Sequence, residues 1–167
     1  MTNPKIKPLA PSGYKALTTE TLPDYISANR DLVVRLGGTA AQWKVREVGD
    51  GNLNLVFIVE GVSGAFCLKQ ALPYVRLVGE SWPLPLSRAH FEHRALAEQA
   101  KVASQFVPKI YHHDAPMALT VMELLTPHII LRKGLTRGVK YPLMAQHLGE
   151  FLAQTLFHTS DLHLNAA

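Results

Sequence analysis

Cysteine is almost absent from this chain. Its single thiol, Cys67, excludes an internal disulfide and fits a reducing compartment. Long apolar runs are missing too: the longest, residues 53–59, is interrupted by Asn54 and falls far short of a bilayer span. The first eleven residues carry lysines and prolines but no apolar stretch, so no secretory leader is read there. These absences make the cytoplasm the default location and argue against a membrane partner. No repeat or low-complexity tract is visible. Neither sign of charge dominates, since 17 Lys and Arg against 13 Asp and Glu leave a net +4, a mild bias toward anionic ligands. Arg132, Lys133, Arg137 and Lys140 gather some of that charge with no aromatic side chain between them. A single-stranded nucleic acid would need such rings to stack on, so residues 132–140 read as a solvated loop and no nucleic-acid partner is expected.

What is present describes an ordinary globular chain. Its 167 residues are 47% hydrophobic and 18% charged, enough for one domain or one large lobe of something longer. Residues 1–20 hold scattered prolines and read as an arm. Residues 21–35 carry Leu22, Tyr25, Ile26, Leu32 and Val33 and predict one or two short helices ended by Gly37-Gly38. Alternation predicts strands over 43–48, 53–60 and 65–72, the last two joined by the tight turn Gly61-Val62-Ser63-Gly64. Residues 77–86, punctuated by Pro83 and Pro85, are expected as a loop and not a strand. Ser87 can cap a helix over 88–102 that carries Glu92, and two strands follow at 108–111 and 117–123, separated by the turn His113-Asp114-Ala115-Pro116. Pro142 opens a last helix reaching about residue 159, with Leu148, Phe151, Leu152 and Leu156 on one stripe. The expected class is α+β: a five-stranded antiparallel sheet with an interposed helix, the small lobe of a protein-kinase-like fold.

The chemistry concentrates in the run Val48-Gly49-Asp50-Gly51-Asn52-Leu53-Asn54 and in Lys69 on the strand that follows the hairpin. Glycine lets a backbone approach a phosphate closely and visit positive φ without strain, and backbone N–H groups in such turns form anion-binding nests. A strand lysine can then grip the phosphates while a helix carboxylate orients it, a role open to Glu92. Met122-Glu123-Leu124-Leu125 supplies an extended segment where a purine is held mainly by main-chain groups. Each feature alone has a plainer reading, as a hairpin turn, a solvated lysine or a surface glutamate; their order along the chain favours the nucleotide site. Trp82 is read as a packing anchor or a ligand cover. His90 and His93, three apart, and the adjacent His112 and His113 suggest a metal, but no cysteine or carboxylate completes a ligand set. They read as core or solvated histidines, as does His147, and no metal ligand is assigned.

At these residues the sequence resembles the S-methyl-5-thioribose kinase family. The resemblance is carried by Trp43-Lys44-Val45-Arg46-Glu47-Val48-Gly49-Asp50-Gly51-Asn52, by Leu68-Lys69-Gln70-Ala71-Leu72-Pro73-Tyr74, by Gly79-Glu80-Ser81-Trp82-Pro83-Leu84, and by the closing Leu156-Phe157-His158-Thr159-Ser160-Asp161-Leu162-His163. It implies ATP-dependent phosphorylation of the 1-hydroxyl of 5-methylthioribose in methionine salvage, with Mg2+ and as a homodimer. It also implies that Asn52 and Lys69 contact ATP and that Glu123, Leu124 and Leu125 form the adenine-binding hinge. Glu92 is carried over as the partner of Lys69, with Glu80 a nearby competitor. The implied division is an arm at 1–20, a nucleotide-binding lobe at 21–125 and the start of a helical lobe at 126–167.

The pattern then stops short of the family's. No His-Gly-Asp catalytic loop and no Asp-x-Glu metal motif occurs in these residues, and Asp161 is not assigned as a base. The expected picture is an N-terminal fragment with no catalytic residue of its own, unable to turn over substrate alone. Two other readings stay open. One is a non-catalytic nucleotide-binding or regulatory module descended from the kinase; the other is an RNA-binding domain using residues 132–140.

Overall fold

The structure, a computed structural model, describes residues 10–49 and 51–164. Asp50, in the glycine-rich run, and the first part of the arm lie outside the described residues. In chain order the elements are α1 (Leu22–Ser27), α2 (Arg30–Leu36), β1 (Lys44–Glu47), β2 (Asn54–Glu60), β3 (Ala65–Ala71), β4 (Tyr74–Val75), β5 (Gly79–Pro83), α3 (Ser87–Ala103), β6 (Ile110–Asp114), β7 (Leu119–Glu123), α4 (Leu131–Thr136) and α5 (Met144–His158). Short 3₁₀ turns lie at Ala40–Gln42 and Ser104–Phe106. Two compact units result. The first runs to Arg94 and includes Ile110–Leu124; the second holds Ala95–Lys109 and the residues from Leu125 onward.

The first unit is built on the five-stranded sheet read from the sequence, with order β1-β2-β3-β7-β6 and every pair antiparallel. Strict alternation in β2 and β3 sends Leu55, Phe57, Val59, Phe66 and Leu68 to one face, all buried. Leu119 and Val121 of β7 join them, and Leu22, Ile26, Leu32 and Leu36 of α1 and α2 complete that core. Burying each such side chain contributes about 1.5–3 kcal/mol, so this layer dominates the stability of the unit. Asn29 starts α2 by accepting the N–H groups of Asp31 and Leu32 on its side-chain oxygen. The β2–β3 turn closes with Gly61 N–H on Gly64 O at 2.8 Å. A Cβ on Gly61 would lie 2.3 Å from the Leu36 carbonyl oxygen, so only glycine lets the turn sit against the end of α2.

Residues 10–17 are tied to the sheet. Gln70, fully buried, accepts the Leu17 N–H at 2.9 Å and donates to the carbonyls of Lys15 (2.8 Å) and Met117 (3.0 Å). The Tyr14 hydroxyl donates to Ala71 O at 2.8 Å, and burial pushes its pKa up to about 12.

Four expectations need correction. Residues 79–83 are a strand: β5 pairs with β4 in a separate two-stranded ribbon, Pro83 opposite Tyr74. The ribbon has no third strand, so the missing N–H of Pro83 disrupts no interior ladder. Ser87 is the first residue of α3 and not its cap. His113, expected in a turn, lies within β6, and part of the expected loop at 132–140 is α4.

In the second unit, α5 packs by Phe151 and His147 against Phe106, with ring centroids 6.2 and 5.8 Å apart. Leu148, Leu152 and Leu156 remain about half exposed or more. No helix among the described residues is long and apolar enough to cross a membrane.

Replacing Gln70 by Ala leaves the buried Leu17 N–H and the partly buried carbonyls of Lys15 and Met117 without their partner. The expected cost is about 2–4 kcal/mol in a urea unfolding titration. A loss below about 1 kcal/mol would show that the arm is not anchored there.

Candidate functional site

The face of the sheet opposite the core is only half covered. Val56 and Ile58 of β2, Cys67 and Lys69 of β3 and Met122 of β7 alternate with the buried residues and lie on this face at intermediate exposure. Lys69 is thus an ammonium set among apolar side chains. Its register partners are Val56 on one side and Thr120 on the other.

The first turns of α3 bring Glu92 to this lysine. Lys69 Nζ donates to Glu92 Oε1 at 2.5 Å, with the two side chains 28% and 43% exposed. Glu80, the competing carboxylate, is exposed on β5, and the ion pair goes to Glu92. The pair is accessible, so its contribution to folding is small. What it does is extend a flexible lysine over the sheet face, with remaining N–H donors open to an anion.

The glycine-rich turn joins β1 to β2 at one end of β3, where Asn54 pairs with Ala71. Gly49 does not adopt positive φ. The need at Gly51 is for space, because a Cβ there would meet Asn54 O at 2.8 Å. Asn52 is exposed, and its carbonyl accepts the Arg76 N–H at 2.7 Å. The Arg76 guanidinium in turn donates to the Glu47 carboxylate, tying the end of β1 to the segment after β4.

Sequence reasoning missed the residue that organises this end of the site. Arg88, in the first turn of α3, donates from Nη2 to the carbonyls of Leu53 (2.5 Å) and Leu72 (2.7 Å), and from Nη1 to Asn54 Oδ1 (2.7 Å). One guanidinium thereby fixes α3 to the start of β2 and the end of β3. Burial lowers its pKa from the ordinary arginine value, opposed by the charge of Glu92. Nothing in the local sequence marks Arg88, since its acceptors are distant main-chain groups. Cys67 sits beside the lysine, and burial raises its pKa above the usual thiol value while Lys69 opposes the shift.

At the other end of β3, Glu123 closes β7 opposite Phe66. Glu123 and the half-buried Leu124 end the first unit, and Leu125 belongs to the second. Along β3 the order is therefore glycine-rich turn, Lys69, then the β7 terminus, with Lys69 three residues from Phe66, about 10 Å of strand. Lys69 and Glu92 touch; Asn52 and Glu123 stand at opposite ends of this track. Trp82 is 58% exposed on β5.

The chain is 54% identical over 157 residues to a methylthioribose kinase of Escherichia coli O45:K1 (strain S88 / ExPEC), a match covering 93% of this chain and 38% of that protein. This chain is a relative of the methylthioribose kinases. Methylthioribose kinase 2 of Oryza sativa subsp. japonica is 48% identical over 152 residues, covering 90% of this chain and 36% of its own. The methylthioribose kinase of Exiguobacterium sibiricum is 50% identical over 149 residues, covering 89% and 37%. No protein-family model matches the chain. The chain thus spans a little over a third of the curated methylthioribose kinases it matches, consistent with their N-terminal part.

A cavity of about 550 Å³ beside the start of α3 is lined by prolines, Leu84, Leu86, His90 and His113. None of Asn52, Lys69, Glu92 or Glu123 lines it, so it is separate from the track along β3. Among the described residues no three His, Cys, Asp or Glu side chains converge to hold a metal ion.

Arg88→Ala strands three acceptors and is expected to cost about 2–3 kcal/mol in urea unfolding. Glu92→Gln, at an exposed pair, is expected to cost less than about 1 kcal/mol. Equal losses would contradict this division of labour.

Proposed function

We propose that the first unit is the nucleotide-binding part of an ATP-dependent kinase acting on 5-methylthioribose. The observation that carries the reading is the Lys69–Glu92 pair, held on a half-covered apolar face between a glycine-rich turn and the end of β7. A phosphate chain fits an ammonium that keeps donors free beside a turn narrow enough to demand glycine at 51. A purine and ribose fit the apolar surface of Val56, Ile58, Cys67 and Met122.

In this reading Lys69 binds the α- and β-phosphates as a point charge and Glu92 holds it extended. Main-chain groups of Glu123, Leu124 and Leu125 receive the adenine, and Asn52 contacts the phosphates from the turn. Transfer joins the sugar's 1-hydroxyl oxygen to the γ-phosphorus and breaks the bond from that phosphorus to the β–γ bridging oxygen, releasing ADP. These residues bind and orient. In this reading the ligands for Mg2+ and the base that accepts the hydroxyl proton belong to the part of the relatives that this chain does not span. The residues of this chain therefore supply positioning and charge neutralisation but not the proton acceptor. Domain boundaries at residues 20 and 125, a cytoplasmic homodimer and a place in methionine salvage follow from the same resemblance.

Two measurements test the reading. Isothermal titration with magnesium and a non-hydrolysable ATP analogue is expected to show binding that Lys69→Met weakens about 10- to 100-fold, the equivalent of losing a charged hydrogen bond. A coupled ADP-release assay with the 167-residue chain is expected to show no methylthioribose-dependent turnover. Analogue binding untouched by Lys69→Met would sink the assignment of the clamp; turnover by the chain alone would sink the missing-base account.

A further inference from the structure

Lys69 does not stand alone on its row of the sheet. Its register partner on β7 is Thr120, and the partner of Thr120 on β6 is His113. Two consecutive residues of α3 reach down to this row. Glu92 meets Lys69, and His93 lies flat on His113 with ring centroids 3.9 Å apart and planes 1° from parallel. The His113 Nδ1 is 3.1 Å from Thr120 Oγ1. The remaining atoms of the stack lead nowhere: His93 Nδ1 and His113 Nε2 are buried without a hydrogen-bond partner.

We propose that His93 and His113 are positioning residues for the Lys69–Glu92 pair: while uncharged, their stack latches the first turns of α3 to β6, and a proton taken up by the stack releases Glu92 from Lys69. This rests on the reading of Lys69 as the phosphate clamp and adds to it a control by pH.

The physical case begins with geometry. Two neutral imidazoles can lie face to face at this distance, but two imidazolium ions so close repel strongly. A proton on His93 Nδ1 also creates a charged donor with nothing to donate to. Every charged neighbour of the stack can be named. On α3, His90 and Arg94 add positive charge and oppose protonation of His93; on β6, Asp114 favours a proton on His113, as does the backbone hydrogen bond with Leu119. Lys69 and Glu92 lie one step along the row. Burial is the largest influence on both rings, and each is held below the ordinary histidine value. The sign follows. Because the folded value lies below the unfolded one, the stack favours folding above about pH 6.5, and that contribution is lost as the pH falls below it. Glu92 is the residue before His93 on the helix, so displacing the ring displaces the carboxylate.

The test reads Lys69 directly by nuclear magnetic resonance on the 167-residue chain. Between about pH 7.5 and 5.5, above the range where a free glutamate titrates, the Lys69 ε-methylene signal is expected to shift. Its midpoint should match that of the His93 and His113 ring protons and lie below 6.5. In His93→Phe, which keeps a stacking ring but carries no proton, the shift is expected to disappear. If that variant does not fold, Thr120→Val leaves both imidazoles and removes one hydrogen bond; the ring midpoints and the Lys69 midpoint are expected to move together. A Lys69 signal that is flat in the wild type, that shifts unchanged in His93→Phe, or that ignores a displaced ring midpoint in Thr120→Val overturns the latch. Titration with the ATP analogue at pH 7.5 reports separately on the clamp. Coupled signals without nucleotide binding sink the clamp reading, whereas binding without coupled signals sinks the latch.

Discussion

The register between β2 and β3 is the constraint on which everything else depends. With Phe57 opposite Leu68 and Val56 opposite Lys69, apolar side chains of both strands fall on one face and the lysine on the other. A slip of β3 by one residue would carry Lys69 into the layer packed by α1 and α2 and expose Phe66 and Leu68. Burial of those two rows therefore specifies where the lysine stands far more strongly than its own ion pair does. The tight turn from Gly61 to Gly64 fixes the same register from the hairpin end.

That constraint explains how one sheet separates stability from chemistry. The core face is dry and well filled, and its polar exception, Gln70, is satisfied at three points. On the opposite face most side chains stay partly accessible, and α3 is attached by a small apolar cluster of Ala89 with Ala71 and Ala118 and by polar contacts. Arg88 holds its start to main-chain carbonyls, Glu92 meets Lys69, and His93 stacks on His113. A helix attached this way can shift at modest cost, which suits a part of a site that must respond to a ligand.

Much of this was legible in the chain. The β2–β3 hairpin is visible because alternation and turn glycines agree, and the order of turn, Lys69, Glu92 and the Glu123 segment along the chain suggests a nucleotide site. Three features were not legible. β5 was hidden because prolines argue against a strand, yet a ribbon of two strands tolerates Pro83 at its end. Arg88 was invisible because its acceptors are backbone carbonyls brought near by folding. His113 was assigned to a turn because Asp114 and Pro116 are turn formers, whereas β6 runs through Asp114. Its stacking partner, His93, reads from the sequence as a core or solvated histidine; the two rings meet through the pairing of distant segments, which no local pattern encodes.

The central claim is that the half-covered face of the sheet, organised by Lys69, receives a nucleotide. An amide chemical-shift map of the isotope-labelled chain, recorded while the magnesium complex of a non-hydrolysable ATP analogue is added, tests it most directly. The account predicts that the largest shifts fall along one track: Gly51 and Asn52 in the turn, Val56 and Lys69 on the sheet, Glu123 and Leu124 at the end of β7. Shifts confined to α1, α2 and the rows of Phe57, Leu68 and Val121, or no shifts at all, would contradict it.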